Sequence, residues 1–268
     1  IKKGENMLIR SNEINETKVI LPGGEWWNNL KLMLKLAGLT PELKGKSLVG
    51  TIPELSLLFV LARPMDVPLW LTQPNSKAIF GVTGSDCLKE WQLATADKPD
   101  GEKTLQEKIL KQPSAVLPYA QQPTIALYAT PNSQAKSEKK WLEDGGTVVT
   151  TFPNITSYFL GGKNNVRIVG VGGKTEGLWA IDDSITGVAD VRSSGRTAEE
   201  NGLRVLSTIM EVSLVGLLAE SVCPVANKRI ADLIEILDKL PVETDSVAVN
   251  QYSSLINRDN FRNAVARR

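Results

Sequence analysis

The sequence predicts an α/β fold in two lobes, and three observations carry that expectation. Short β-branched runs alternate with segments of helical spacing; glycine-rich turns such as Pro22-Gly23-Gly24, Gly145-Gly146 and Gly172-Gly173 separate them; and a polar stretch from Ala94 to Pro113 splits the alternation into two blocks. Strands alternating with helices argue for parallel sheets. The boundaries that follow are residues 1–112 for a first lobe, completed by 206–224, residues 113–205 for a second lobe, and 225–268 for a helical tail.

Along the chain, Lys18 to Leu21 is a β-type run ending at Pro22-Gly23-Gly24, and Asn28 or Asn29 is placed to cap a helix with Leu30, Met33, Leu34 and Ala37 on one face. Ser47 to Ile52 reads as a strand, Leu55 to Ala62 as a mostly buried segment, and Ala78 to Val82 as a strand ending in Thr83-Gly84. Within the polar divider, Lys98-Pro99-Asp100-Gly101 signals a turn and Leu105 to Leu110 is amphipathic. The second block begins with a strand at Thr124 to Tyr128, a charged surface helix at Ser133 to Leu142 and a strand at Thr147 to Thr151. A short helix near Asn154 to Leu160 follows, then strands at Val166 to Val171 and Val188 to Val191. Leu203 to Met210 and Val212 to Ala219 read as strands leading back to the first lobe, so the chain should cross between lobes near 113 and 205. Beyond Pro224, Ile230, Leu233, Ile234 and Leu237 recur at helical spacing and mark an amphipathic helix.

Composition narrows the chemistry. The 268 residues carry 31 Lys plus Arg against 30 Asp plus Glu, a formal charge of +1, so bulk electrostatics favours neither nucleic acid nor an anionic membrane as partner. Any anion must be caught locally. Histidine is absent, which excludes His general bases, Ser-His-Asp and Cys-His systems, and imidazole-built metal sites. Cys87 and Cys223 make neither a Cys-rich zinc site nor a disulfide framework; they read as inert buried residues in a reduced, cytoplasmic setting. The most apolar windows, Leu55 to Ala62 and Val212 to Ala219, fall far short of the roughly 20 residues that cross a bilayer. The polar stretch Ile1 to Thr17 lacks the apolar region of an export signal, which weighs against a secreted solute receptor.

The stretch richest in chemistry runs from Ile185 to Leu203. An apolar strand ending in Asp190, followed by small residues around Gly195, lets backbone N–H groups converge on a phosphate, with Ser193, Ser194 and Thr197 as hydroxyl donors. Asp190 then suits ribose hydroxyls or a phosphate-bound Mg²⁺. Spacing alone equally allows an ordinary polar turn between strand and helix.

This segment resembles the phosphoribosyl-pyrophosphate loop of the ATP phosphoribosyltransferases, matching in order at Asp190, Ser194, Gly195, Arg196, Thr197 and Asn201-Gly202-Leu203. The same family is similar at Ala62-Arg63-Pro64-Met65-Asp66-Val67-Pro68, at Gly81-Val82-Thr83-Gly84-Ser85-Asp86, and at Thr151-Phe152-Pro153-Asn154-Ile155-Thr156 followed by Gly173-Lys174-Thr175-Glu176. The resemblance implies two lobes hinged around a cleft, like a type II periplasmic binding protein. It also implies Mg²⁺-dependent transfer of phosphoribosyl from phosphoribosyl pyrophosphate to N1 of ATP, the first step of histidine biosynthesis. Asp190, Arg63 and Glu176 would carry the reaction, Asp190 fixing the ribose and the other two orienting the second substrate. Ser193, Ser194, Gly195, Arg196, Thr197, Gly23, Gly24, Thr83 and Asp86 would bind substrates, and no metal site is built by the protein alone. Physically, Arg63 offers a planar fork to a phosphate or carboxylate, or an ion pair to Asp66. Gly81 to Gly84 places a strand end beside Asp86, as clefts at the carboxyl ends of parallel strands require. Glu176 either faces the cleft or sits at a solvated helix start.

The chain also departs from the family pattern. After the first strand the family carries basic residues, whereas here Leu21-Pro22-Gly23-Gly24-Glu25-Trp26 adds an anion; Lys44, Lys46, Lys163 and Lys174 are candidate replacements. Thr186 stands where a second acid is expected, and Tyr119 to Pro123 lacks an expected Arg. These changes keep open a non-catalytic ligand-binding or regulatory paralogue of the same fold. Trp26 and Trp27 follow the glycine turn, where an adenine would lie in the family, and are candidates for stacking on it. The tail is too short for the family's C-terminal regulatory domain, which implies a short-form chain that self-associates, at least as a dimer. Such chains recruit a regulatory subunit resembling histidyl-tRNA synthetase. The apolar face of the tail helix is expected at or near a subunit contact.

Overall fold

The computed structural model describes residues 17–96, 123–192, 195–219 and 224–238. The first half runs β1 (Thr17–Pro22), α1 (Glu25–Leu36), β2 (Glu42–Leu43), β3 (Val49–Ile52), β4 (Leu57–Ala62), α2 (Val67–Thr72), β5 (Ala78–Gly84) and α3 (Ser85–Ala94). The second runs β6 (Thr124–Ala129), α4 (Glu138–Asp144), β7 (Gly146–Thr150), α5 (Pro153–Leu160), β8 (Val166–Gly170), β9 (Ile185–Arg192), α6 (Arg196–Glu200) and β10 (Arg204–Glu211). β11 (Leu214–Leu218) and α7 (Pro224–Asp238) complete the described chain. The turn at 98–101, the amphipathic stretch at 105–110, the crossing near 113, Cys223, Ser193 and Ser194 lie outside the described residues.

Two sheets form, in the orders β11-β5-β1-β4-β3-β2 and β10-β6-β9-β7-β8. Both are mixed rather than parallel. β1 runs parallel to β4 and β5, and β7 parallel to β8 and β9, whereas β3, β11, β6 and β10 pair antiparallel with their neighbours. The physical reason is connection length: a single tight turn at Pro53–Leu55 separates β3 from β4, too little for the crossover that parallel neighbours need.

Helices cover both faces of the first sheet. On one face Val19, Leu21, Phe59, Phe80 and Leu214 pack with Leu30 and Leu34 of α1 and Ile230 and Leu233 of α7. On the other, Ile20, Leu217 and Val215 meet Val67 and Leu71 of α2 and Leu88 of α3. The alternation Val19, Ile20, Leu21 is the period of two that a strand buried on both sides requires. In the second sheet Leu127 and Ala189 face Trp141 of α4 and Leu160 of α5, while Ala126, Tyr128 and Val188 face Ala198 of α6.

Several boundaries differ from the sequence expectation. α1 begins at Glu25, so Asn28 and Asn29 lie inside it, past the capping position; the turn at Gly24 (φ +69) leads from β1 straight into the helix. α4 starts later, because Ser133 to Ser137 form turns of their own, Ala135 N–H donating to Ser133 Oγ at 3.2 Å, and Ser137 caps the helix by accepting from Lys140 N–H at 3.3 Å. The return to the first lobe falls later than 205: β10 pairs with β6 as far as Glu211 opposite Thr124, and the chain rejoins the first sheet at Leu214. The tail helix is not a separate appendage, since Ile230 and Leu233 are fully buried in the first lobe's core and Ile234 packs against it.

At the crossing, Val212 N–H donates to Pro123 O at 2.8 Å, and Ser213 is tied to Ser85 by Ser85 N–H to Ser213 O at 2.8 Å and Ser213 N–H to Ser85 Oγ at 2.9 Å. Among the described residues no helix is long and apolar enough to cross a membrane.

Candidate active site between the lobes

The carboxyl ends of three parallel neighbours, β7, β8 and β9, meet around Asp190. Its Oδ1 accepts from Thr151 Oγ1 at 3.0 Å and from Val191 N–H at 2.7 Å, and its Oδ2 accepts from Thr175 Oγ1 at 2.5 Å. Thr151 follows β7 and Thr175 lies on the loop after β8, so the carboxylate is gripped by residues far from it in sequence. Three acceptor positions of a carboxylate that offers about four are thereby filled.

Beyond Asp190 the strand opens into the glycine turn. Gly195 has φ +79, a conformation that side chains with a Cβ rarely adopt, and a Cβ there would stand 3.1 Å from Arg192 Nε. The guanidinium of Arg192 therefore lies against the turn. Gly195 leads into α6, where Thr197 is exposed and its carbonyl accepts from Asn201 Nδ2 at 2.8 Å. Arg196 reaches Glu200 at 3.6 Å across a solvated helix face, a contact worth about 0.3–0.5 kcal/mol.

Tyr128 lies behind this site on β6. Burial pushes its phenol up to about 12, with Arg192 working against the rise and the charges of Asp190 and Glu176 adding to it. Glu176 follows Thr175, which bonds Asp190, and is half-buried in the turn before a single helical turn at Leu178–Ala180 rather than at the start of a helix.

The opposing wall comes from the carboxyl ends of β1, β4 and β5. Gly23 N–H donates to Ala62 O at 2.8 Å and extends the β1/β4 ladder into the glycine turn. Arg63 follows β4, exposed, and no ion pair joins it to Asp66 among the described residues. Thr83, fully buried, donates through Oγ1 to Pro64 O at 2.6 Å, fixing the Arg63-Pro64 turn to the end of β5. Asp86, in the first turn of α3, is buried, and its Oδ1 has no hydrogen-bond partner among the described residues. A Cβ on Gly84 would come within 2.0 Å of that oxygen, so any other residue there would displace the Asp86 carboxylate. Burial holds the Asp86 carboxyl above its ordinary range; hydrogen bonds with Cys87 oppose the shift and the charge of Asp190 adds to it. Asp86 stands past the carboxyl end of β5 in the first lobe and Asp190 near the carboxyl end of β9 in the second.

Thr151 and Thr175, which stand in the resemblance's motifs without a role of their own, enter as hydroxyl partners of Asp190; the structure also brings in residues that the sequence did not single out, Tyr128 and Arg192 around Asp190 and Glu90, which joins the lobes. The spacing Asp190-Val191-Arg192 just before the glycine turn was the available signal for Arg192. Of the four candidate lysines, Lys174 (φ +55) is on the Thr175 loop; Lys163 precedes β8, at the opposite end of the strands, and Lys44 and Lys46 are exposed at the far edge of the first sheet. Thr186, standing where a second acid was expected, is at the distant end of β9 and donates to Gly145 O at 3.3 Å. Trp27 is not free to stack on a base, because it is buried with its ring centroid 4.9 Å from that of Phe59, and Trp26 packs partly against the same core. Cys87 is buried, and burial raises its thiol far above the ordinary range.

The sequence profile HisG, ATP phosphoribosyltransferase, matches residues 63–239, more than half of the chain. The chain belongs to the ATP phosphoribosyltransferase family. It is 29% identical over 238 residues to the ATP phosphoribosyltransferase of Lysinibacillus sphaericus (strain C3-41), covering 87% of this chain and 99% of that one. It is 26% identical over 223 residues to that of Halalkalibacterium halodurans, covering 82% and 93%. Among solved structures, the ATP phosphoribosyl transferase (HisG:HisZ) complex from Thermotoga maritima superposes with a TM-score of 0.59 at 22% identity, over 83% of this chain and 97% of that one. A periplasmic transporter superposes with a TM-score of 0.52 at 12% identity, over 94% and 96%. The fold is therefore the two-lobed arrangement shared with periplasmic binding proteins, and the chain is a pentosyltransferase of the ATP phosphoribosyltransferase class, acting at the first step of histidine biosynthesis.

Proposed function

We propose that the β9 carboxyl end and the turn after it hold phosphoribosyl pyrophosphate, and that ATP approaches from the opposing wall. The observation that carries this reading is Asp190, fixed by two threonine hydroxyls and a backbone N–H immediately before a glycine in left-handed conformation. Its remaining acceptor position accepts a ribose hydroxyl. The turn from Arg192 through Ser193, Ser194 and Gly195 to Thr197 then receives the pyrophosphate, with Arg192 supplying a charge that the first glycine turn no longer carries. Lys174 is the second cation near enough in chain position to contribute. Gly23, Gly24, Arg63, Thr83, Asp86 and Glu176 form the surroundings of ATP, where Arg63 and Glu176 orient the nucleotide so that N1 meets the anomeric carbon. Displacement of pyrophosphate by a ring nitrogen needs no covalent protein nucleophile, so a chain without histidine can perform it.

The donor set suits Mg²⁺. The side chains bonded to Asp190, Thr151 and Thr175, carry oxygen alone, the ligand type that Mg²⁺ prefers, and a cation bound to pyrophosphate would enter on phosphate oxygens. When bound, Mg²⁺ supplies positive charge to the leaving pyrophosphate. The phosphate oxygens themselves would hold it, because the one acceptor position left on Asp190 goes to the ribose.

The reading also includes a cytoplasmic setting, self-association at least as a dimer, and a regulatory subunit resembling histidyl-tRNA synthetase. Separate titrations with phosphoribosyl pyrophosphate and with ATP, followed by a turnover assay, test the whole. Binding of both with turnover is expected. Failure of either substrate to bind would overturn this assignment of the two walls.

A further inference from the structure

We infer that Glu90 is a positioning residue for the phosphoribosyl side of the cleft, acting from the first lobe through α5 and Thr151 on Asp190; the inference rests on Asp190 being the ribose anchor. Glu90 is on α3 and is only 4% exposed. Its Oε1 accepts from Asn154 N–H at 2.9 Å and from Asn154 Nδ2 at 2.7 Å, and its Oε2 accepts from Ile155 N–H at 2.8 Å. All three donors belong to the other lobe. They lie in the first turn of α5, where backbone N–H groups have no partner within the helix and where a negative charge is favoured. Phe152, which precedes that helix, offers no side-chain cap, so the first lobe supplies the missing one.

The path from this cap to the site is short and stiff. Phe152 N–H donates to Thr150 Oγ1 at 2.9 Å, Thr156 N–H donates to Phe152 O at 2.9 Å, and Pro153 occupies the first helical position. A shift of the α5 start therefore carries Thr151 with it, and Thr151 is the side chain that, beside Val191 N–H, holds Asp190 Oδ1. The rest of α3 seconds the contact: the Lys89 ammonium stands 5.4 Å from the centre of the Tyr158 ring, and Leu93 packs against the cluster of Phe152 and Ile155. At its other end α3 is anchored to the crossing through Ser85 and Ser213. The helix is thus a bar that sets how far the first lobe stands from the phosphoribosyl anchor.

Glu90→Gln keeps the shape and the acceptor for Asn154 but turns an amide NH₂ toward Ile155 N–H. In the unliganded full chain, hydrogen exchange should quicken at 154–155 and also at 188–192, the end of β9. Phosphoribosyl pyrophosphate should bind about fivefold more weakly, a fraction of one charged hydrogen bond, with ATP affinity unchanged. Thr151→Val in the Glu90→Gln background should add no further loss. Asn154→Asp brings a second carboxylate against Glu90 from the other lobe and must reproduce the same changes, which keeps the test intact if Glu90→Gln does not fold. Unchanged exchange at 188–192, or fully additive losses with Thr151→Val, would overturn the inference. Failure of the unmodified chain to bind phosphoribosyl pyrophosphate would instead overturn the reading of Asp190, while the exchange comparison still decides whether Glu90 holds that strand end.

Discussion

Asp190→Asn separates charge from shape at the centre of the site. The amide oxygen can stand in for Oδ1, keeping its bonds from Thr151 and Val191 N–H, while the new NH₂ faces Thr175 Oγ1, which can accept as readily as it donates. The fold should survive with a small loss in Tm. The charge is what disappears. A hydrogen bond to a charged group contributes about 1.5–3 kcal/mol against about 0.5–1.5 for a neutral pair, so each ligand bond weakens by roughly 1–1.5 kcal/mol. Because three acceptor positions are already occupied by the protein, about one is left for a ribose hydroxyl. The expected effect is then a single such loss, close to tenfold in the Kd of phosphoribosyl pyrophosphate, read by titration calorimetry with ATP as the control ligand. A Kd within twofold of the unmodified chain would refute the role of the charge. A loss beyond about a thousandfold would refute the one-bond reasoning, since some 4 kcal/mol exceeds what a single hydrogen bond carries.

Gly195→Val forces a β-branched residue into left-handed backbone at a strain of about 1–3 kcal/mol and drives a methyl group toward Arg192; phosphoribosyl pyrophosphate binding should vanish while the melting transition remains cooperative, and retained affinity would remove the turn from the site. Burial raises the Asp86 carboxyl, so its contribution to stability is complete below the ordinary value of 3.8 and is lost as pH climbs from there through the raised value. Asp86→Asn does not titrate, so its stability relative to the unmodified chain should rise across that interval; parallel melting curves over the same pH range would show that the carboxyl is not held in its neutral form. Leu233→Ala in α7 should cost about 2–5 kcal/mol in urea denaturation because the side chain is fully buried in the first lobe's core, whereas a cost below about 1 kcal/mol would mean that the helix docks elsewhere.

Much of the site's primary wall was legible because its residues are neighbours in sequence. An apolar strand, an acid at its end and a glycine with hydroxyl residues around it form one continuous local pattern from Ile185 to Thr197. Thr151, Thr175 and Glu90 could not be read in the same way. They act on partners 39, 15 and 64–65 positions away, and no periodicity of strand or helix encodes which distant loop a side chain will meet. The mixed strand directions escaped for a related reason: alternation of β and α segments reports the existence of elements, while direction depends on whether a connection is long enough to cross over, as between β1 and β4, or is a tight reversal, as between β3 and β4. Trp27 shows a further limit. Its place after a glycine turn suggested a ligand, and only the position of Phe59 on β4, under α1, shows that its ring is part of the core.

The late return of the chain has a consequence for biosynthesis. Strands β6 to β10 form an uninterrupted segment, so the second lobe has all its sheet partners once Glu211 has been made. The first lobe does not. β5 waits for β11 along its edge, and the cluster around Val19, Leu30 and Phe59 waits for Leu214, Ile230 and Leu233, which are made only after the whole of the second lobe's sheet. The half of the protein that is translated first is therefore finished last, after a folded second lobe has been inserted between its own pieces. Contacts of such high sequence separation close slowly, so the nascent first lobe spends the intervening synthesis with an open sheet edge and is the part whose exposure to chaperones and proteases should be longest.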